Sequence, residues 1–566
     1  MSGEAQILIA KSAREVAGVL DAAEQAVAGG RWVAGFVSYE AAPGLDPALR
    51  VEPSAGTAFD ELPAAWFAVF PDRRPADDSN AESYSLGSWS AAVSESDHRS
   101  SVHRILEHIR QGDTYQVNLT FGLSTPFTGG ARSFYLDLIA AQTCGYGSYI
   151  DTGRWQIASA SPELFFEWSD ERIVCRPMKG TVRRGLLTAE DEEQRLALLA
   201  SEKDRAENVM IVDMVRNDLG RVAVVGSVDT PVLFSAEKYD TVWQLTSTVT
   251  ARTTPGTSLR SVFEALFPSA SITGAPKVAT MEIISALEGH PRGVYCGTIG
   301  FGGPGPTGRP EWAFNVAIRT VVLDRRRGVA HYGTGGGVTI DSTAEGEYRE
   351  ALLKAEVLAR RTADFRLLET MRWEPASGFW LLDRHLDRLV DSGWYFDIPL
   401  DREKVLTDLQ RAVAGLDAPS VLRLVVDRTG SISIDVAALP AADTGVRLAV
   451  DDRPIDRRDP LLYHKTTGRR VYNEAAARHP GADDVVLWNE SGQVTETTIG
   501  NLAVLVDGIW WTPPVSSGCL PGTYRAELLE EGKLRERVIT TGELRSAGSI
   551  ARLNSVRGWE MAALAG

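Results

Sequence analysis

The chain has 566 residues and a formal net charge of −16, with ordinary apolar, charged, glycine and proline contents. That length exceeds one core and implies two large domains or three smaller ones. The composition excludes disordered and fibrous classes, and the acidic balance argues against a nucleic-acid backbone or an anionic membrane as partner. The four cysteines, Cys144, Cys175, Cys296 and Cys519, are scattered without a Cys-x-x-Cys pair, so neither a disulfide framework nor a zinc site is indicated. No run of about 18 apolar residues could span a bilayer and no signal-peptide core is present, which makes the cytoplasm the expected compartment.

In chain order, the first 70 or so residues read as short strands and helices, with a strand over Trp32–Tyr39 and a polar surface loop from Pro71 to Glu82. The spacing of Val102, Ile105, Leu106 and Ile109 predicts a helix over Ser101–Arg110; Gly112 and Asp113 end it, and Thr114–Thr120 alternates as a strand. Ser161-Pro162-Glu163-Leu164-Phe165 then sets a lone carboxylate in apolar company. After a predicted strand over Arg172–Cys175 comes Arg176-Pro177-Met178-Lys179-Gly180-Thr181, where Pro177 fixes its own backbone and Gly180 permits a sharp turn. A buried carboxyl and a lysine of lowered pKa would suit a general acid and a nucleophile; read alone, Lys179 is an ordinary solvated turn residue, as most lysines beside a Gly-Thr turn are.

Asp204 with Glu207, and Glu347 with Glu350, stand at i and i+3 on predicted helices, so each pair shares a face. Brought together they would offer hard oxygen ligands to Mg²⁺; apart they are salt-bridged surface. Pro268 to Lys277 strings hydroxyls, glycine and a lysine before a helix, as an anion seat or an ordinary capped helix start would. Gly333-Thr334-Gly335-Gly336-Gly337 would let backbone amides approach a ligand, and Arg319 could clamp a carboxylate. A helix from Ala344 to about Arg361 closes this part, and the pattern resets at Phe365–Trp373, giving expected domains of 1–362 and 363–566.

In the second part a strand around Leu368-Glu369-Thr370 precedes a helix containing Leu382–Leu389. Lys465 lies in Tyr463-His464-Lys465-Thr466-Thr467, Glu496 in Val494–Leu502, and Leu520-Pro521-Gly522-Thr523-Tyr524-Arg525 turns into a helix that could seat a phosphate. Individually these read as a surface lysine, a strand-edge charge and a turn.

As a set, Tyr115–Leu119, Ser161–Glu163, Lys179–Thr181, Asp204–Asn208, Val212–Asp218, Ser271–Lys277 and Glu347–Glu350 occur in the order seen in chorismate-utilising enzymes. Together they resemble component I of aminodeoxychorismate synthases, relatives of anthranilate, isochorismate and salicylate synthases. The resemblance implies an α/β domain of two facing sheets around chorismate and Mg²⁺. Glu207 and Glu350 would coordinate the metal, with Asp204 and Glu347 in support. Gln116, Thr181, Ser271, Tyr295, Arg319, Gly335, Gly336, Gly337 and Lys354 would hold the substrate. Relatives that add water carry a lysine base at the place of Gln116, and anthranilate synthases usually carry alanine at the place of Lys179. The resemblance therefore implies amination at C4, with Lys179 as nucleophile and Glu163 as acid. Gln244 stands where anthranilate synthases commonly have histidine.

Residues 365 to 566 resemble fold-type IV pyridoxal-phosphate enzymes, the group of branched-chain aminotransferases and aminodeoxychorismate lyase. That implies Lys465 as the cofactor lysine, Glu496 at the pyridinium nitrogen, and Arg388, Thr498, Thr523 and Tyr524 at the phosphate. Asn554–Trp559 looks more like the lyases. The two resemblances meet at one metabolite: the first domain would make 4-amino-4-deoxychorismate, and the second would release pyruvate and 4-aminobenzoate, for folate or an antibiotic precursor. No Gly-x-Cys-x-Gly elbow is present, so ammonia is expected from a separate glutamine amidotransferase. A homodimer through the second domain stays open. So do an anthranilate synthase in the first domain and a transaminase or a non-catalytic scaffold in the second.

Overall fold

A computed structural model describes residues 5–75, 82–141, 144–358, 365–440 and 445–565. The boundary expected near residue 363 and residues 76–81 of the Pro71–Glu82 loop lie outside them. The chain divides into two compact units: Met1–Arg183 with Gln194–Thr362, and Arg184–Glu193 with Ala363–Gly566.

Among the described residues the first unit holds a 10-stranded and an 8-stranded sheet. Six elements position its candidate site: β1 (Gln116–Gly129), β2 (Leu164–Ser169), β3 (Met178–Arg183), α1 (Glu202–Gly220), β4 (Val242–Arg252) and β5 (Val329–Val338), followed by α2 (Ala344–Ala355). Phe36 and Ile299 of the larger sheet share one buried cluster with Trp155, Ile157 and Val322 of the smaller, so the two sheets meet through a common core. Such a core is stabilised at roughly 25 cal/mol per Å² of apolar surface removed from water.

The helix expected over Ser101–Arg110 runs from Glu95 to Gln111. Ser94 accepts the Asp97 N–H at its start, and Gly112, at φ 83°, closes it in the left-handed region. The expected alternation over Thr114–Thr120 is replaced by continuous burial from Gln116 to Phe121, because β1 lies between β5 on one side and other elements on both faces. The helix expected to reach Arg361 is α-helical to Ala355 and then tightens into a 3₁₀ turn over Glu356–Leu358.

The second unit holds a four-stranded and an eight-stranded sheet. Its site is framed by β6 (Leu367–Glu374), α3 (Leu382–Tyr395), β7 (Val494–Thr497) and α4 (Thr523–Glu530). This unit also includes Arg184–Glu193. Arg184 lies over the Tyr395 ring at 4.3 Å, its Nε donates to Asp191 at 2.6 Å, and the Tyr395 hydroxyl donates to the Gly185 carbonyl at 2.9 Å.

Candidate active sites

Lys179 sits on an irregularity of the larger sheet. Met178 pairs with Thr246 and Thr181 with Gln244, so β3 carries one residue more than β4 across this interval. Such a bulge re-aims a side chain, and Gly180 takes the left-handed backbone it requires, at φ 99°. Burial lowers the Lys179 pKa, with Lys354 adding to the effect and Glu207, Glu347 and Glu350 opposing it. Its Nζ lies 3.7 Å from Glu207.

Glu163 is 3% exposed, and burial pushes its carboxyl up to about 7 although Ser271, Lys179 and the Met178 amide favour the anion. A carboxyl protonated near neutrality beside an amine with a lowered pKa has the protonation states that a general acid and a nucleophile require.

The glycines of β5 are needed for space. A methyl group on Gly337 would come within 2.4 Å of Lys179 Nζ and 2.9 Å of Gln116 Nε2, and one on Gly336 within 3.0 Å of Glu347 Oε2 and 3.5 Å of Lys354 Nζ. Lys179, Gln116, Glu347, Glu350 and Lys354 therefore share the wall that Gly336 and Gly337 leave open. Gln116 is fully buried, yet among the described residues both atoms of its amide lack a hydrogen-bond partner. Buried amides are normally satisfied, so these two fit contacts to a bound molecule. Arg319 has burial as the chief influence lowering its pKa, and among the described residues no carboxylate pairs with it. A desolvated guanidinium in that state suits a carboxylate ligand. Tyr295 lies against Gly333, where a methyl group would meet its ring at 2.1 Å.

Among the described residues no three His, Cys, Asp or Glu side chains are placed to hold a metal ion together. Glu350 is paired with Lys354 at 2.9 Å, Glu347 accepts the Ser342 hydroxyl at 2.6 Å, and Asp204 lies against Gly180. The donor chemistry nevertheless fits Mg²⁺: four carboxylates border one small region, and lysines now neutralise two of them. The Thr181 hydroxyl, expected at the substrate, donates to Gln244 Oε1 at 2.9 Å.

In the second unit burial lowers the Lys465 amine to about 8, and the Lys465 carbonyl is held by the Leu368 N–H at 2.9 Å. Burial raises Glu496 to about 7; it accepts from the Tyr472 hydroxyl at 2.8 Å, the Leu520 amide at 3.2 Å and Asn501 Nδ2 at 3.2 Å. These donors orient the carboxylate and leave an acceptor site open. The first turn of α4 has no side-chain cap at Gly522, so its amides can face an anion. A half-buried lysine of lowered pKa, an oriented carboxylate and an uncapped helix start fit pyridoxal phosphate. Thr498 points elsewhere, its hydroxyl and amide both donating to Asp484 Oδ1. Sequence reasoning missed Tyr472, Asn501 and Glu369; the partners of Tyr472 and Glu369 are distant in the chain, and Asn501 meets Glu496 only because the chain turns between β7 and the strand that follows.

A lysine of lowered pKa beside a carboxyl raised to about 7 in one unit, and a lysine lowered to about 8 near an oriented carboxylate in the other, give the chain two candidate reaction centres of an enzyme. The chain belongs to the chorismate binding enzyme family, whose model matches residues 73–360. The amino-transferase class IV model matches residues 366–561. The chain is similar to aminodeoxychorismate synthase component 1 of Bacillus subtilis, at 38% identity over 48% of this chain and 57% of that protein. It is similar to the Escherichia coli protein of the same description at 37%, over 50% and 61% respectively. It thus spans little more than half the length of these relatives. Among solved structures, anthranilate synthase component I from Streptococcus pneumoniae is 26% identical, with a TM-score of 0.52, covering 60% of this chain and 85% of that one.

Proposed function

We propose that the chain converts chorismate and ammonia to 4-amino-4-deoxychorismate and water in its first unit, and that product to 4-aminobenzoate and pyruvate in its second. The observation that carries the reading is the Lys179–Glu163 pair: burial lowers the amine's pKa and raises the carboxyl's to about 7, on the border of a carboxylate cluster. The similarity to aminodeoxychorismate synthases supports the choice of substrate.

In the first reaction the Lys179 amine attacks C2 of chorismate, the ring double bond shifts, and the C4 hydroxyl takes the Glu163 proton and leaves as water. Ammonia then adds at C4 as the C2–N bond to Lys179 breaks, and the proton count closes with Glu163 reprotonated. Arg319 would bind a substrate carboxylate, while Gln116 and the Gly335–Gly337 backbone would line the ring. Glu207 and Glu350, with Asp204 and Glu347 in support, would hold Mg²⁺, which supplies charge compensation for the substrate carboxylate. The ammonia source is a separate glutamine amidotransferase.

In the second reaction pyridoxal phosphate, when bound, supplies an electron sink. Lys465 would carry it and take the C4 proton, Glu496 would hold a proton at the ring nitrogen, and the start of α4 with Arg388 would bind the phosphate. Loss of pyruvate leaves the aromatic amine. The test is incubation of the purified chain with chorismate, Mg²⁺, pyridoxal phosphate and an ammonium salt. Release of 4-aminobenzoate and equimolar pyruvate is expected; 2-aminobenzoate as the main product would overturn the reading.

A further inference from the structure

Lys179 is held by its backbone more firmly than a lysine on a bulged edge needs to be. Asn208 Nδ2 donates to the Lys179 carbonyl at 3.2 Å and to the Leu245 carbonyl at 3.3 Å, while its Oδ1 accepts the Ser247 hydroxyl at 2.6 Å. From the other strand Gln244 Nε2 donates to the Gly180 carbonyl at 2.9 Å, and Gln244 Oε1 accepts the Thr181 hydroxyl at 2.9 Å. Three successive residues of the bulge are thus gripped by two amide side chains, each using both its donor and its acceptor. Asn208 is 1% exposed and Gln244 9% exposed, so water offers these carbonyls little alternative.

We propose that Gln244 and Asn208 are the positioning residues of Lys179, fixing the amine where it reaches C2 of the substrate and so directing nitrogen to C4. The inference rests on the nucleophilic role of Lys179 given above. A bulge is soft, since its extra residue lacks ladder partners, and the amide grip replaces those missing bonds. Asn208 follows Glu207 on α1, so the same helix turn that presents a carboxylate to Lys179 Nζ also holds the lysine's own carbonyl. Gln244 is a neutral clamp: its carbonyl accepts the Thr181 hydroxyl and its amide NH2 donates to the Gly180 carbonyl, which can only accept. A group exchanging protons with substrate at this position would have to release one of those two contacts.

The test is Gln244→Met in the full chain, which keeps length and removes both contacts, with Thr181→Val removing one of them. Each is assayed with chorismate, Mg²⁺ and ammonium for the two aminated isomers and for the mass adduct on Lys179. A displacement of about 1 Å lowers kcat for C4 amination by roughly 100-fold in Gln244→Met. Thr181→Val should fall between that variant and wild type. In both variants the Lys179 adduct should decrease and the 2-amino isomer should rise as a fraction of product because ammonia then competes directly at C2; in Gln244→Met, KM for chorismate should stay close to its original value. Unchanged isomer ratio and adduct yield in both variants overturn the clamp, as does an equal loss of both isomers with a raised KM. If Gln244→Met does not fold, Thr181→Val decides by the same ratio. Wild-type C4 amination without any adduct on Lys179 overturns the nucleophile reading, and the clamp with it.

Discussion

Glu369 and Arg388 form a buried bidentate pair, with Arg388 Nε and Nη2 donating to the two carboxylate oxygens at 2.8 and 2.7 Å. His385 Nδ1 lies 2.6 Å from the same carboxylate, and Arg388 Nη1 donates to the Pro521 carbonyl just before the start of α4. Arg388 and His385 together hold the Glu369 carboxyl down at about 2, against the effect of burial. The pair therefore ties β6 to the start of α4.

Removing one member of such a pair strands the other charge, at a cost of about 3–5 kcal/mol. Glu369→Ala should lower the melting temperature and weaken pyridoxal phosphate binding more than tenfold, read by titrating the apo chain. Glu369→Gln, which keeps one acceptor for Arg388, should lie between. Wild-type cofactor affinity in both variants would remove Glu369 from the cofactor site.

Glu163 sets a pH dependence with a definite sign. Its folded pKa of about 7 lies above the 4.5 of an exposed glutamate, so folding is favoured below the unfolded value and that contribution is lost as pH rises through about 7. The acid form that protonates the leaving hydroxyl declines over the same range. Single-turnover C4 amination, with ammonia held constant, should therefore fall above about pH 7. Glu163→Gln should lose most amination and become less pH-sensitive in its melting temperature between pH 4.5 and 7. A melting profile identical to wild type would place the Glu163 titration elsewhere.

Lys179→Ala should abolish C4 amination while chorismate binding stays within a few-fold of wild type. The alanine leaves room at C2, so a trace of 2-aminobenzoate is the expected by-product. Product isomers resolved by chromatography, with chorismate affinity from calorimetry, check this; C4 amination at the original rate would end the covalent route.

Much of the first site was legible because its chemistry travels in short motifs. Glu163 between Pro162 and Leu164 reads as buried, and it is 3% exposed. Lys179 before Gly180 reads as a turn, and the turn is a bulge. What holds that bulge was not legible: Gln244 and Asn208 reach it only through the pairing of β3 with β4 and the packing of α1, which no local spacing announces. The same holds for Glu369, whose partners His385 and Arg388 lie 16 and 19 residues away on α3. The helix start at Glu95 was missed for a different reason. Its first turn is polar, so the apolar periodicity begins later than the helix, although the Ser94 cap was readable. Arg184–Glu193 follows directly on the Lys179 strand yet belongs with the second unit, an assignment set by tertiary contacts alone.

The last prediction separates the two reactions. Lys465 is the lysine to which the resemblance assigns both cofactor and proton, and burial brings its amine to about 8. An amine must be neutral to capture the cofactor's aldehyde, so cofactor capture by the apo chain should accelerate as pH rises through about 8, read from the visible absorption band. Lys465→Ala should show no such band and should release no pyruvate. Lys179 and Glu163 lie in the other unit, so the variant fed chorismate and ammonium should still consume chorismate near the wild-type rate and accumulate 4-amino-4-deoxychorismate. Adding a separate active lyase should then restore 4-aminobenzoate. Undiminished 4-aminobenzoate from the variant would show that the second unit is not the lyase. Loss of amination as well would show that the first reaction depends on the integrity of the second unit.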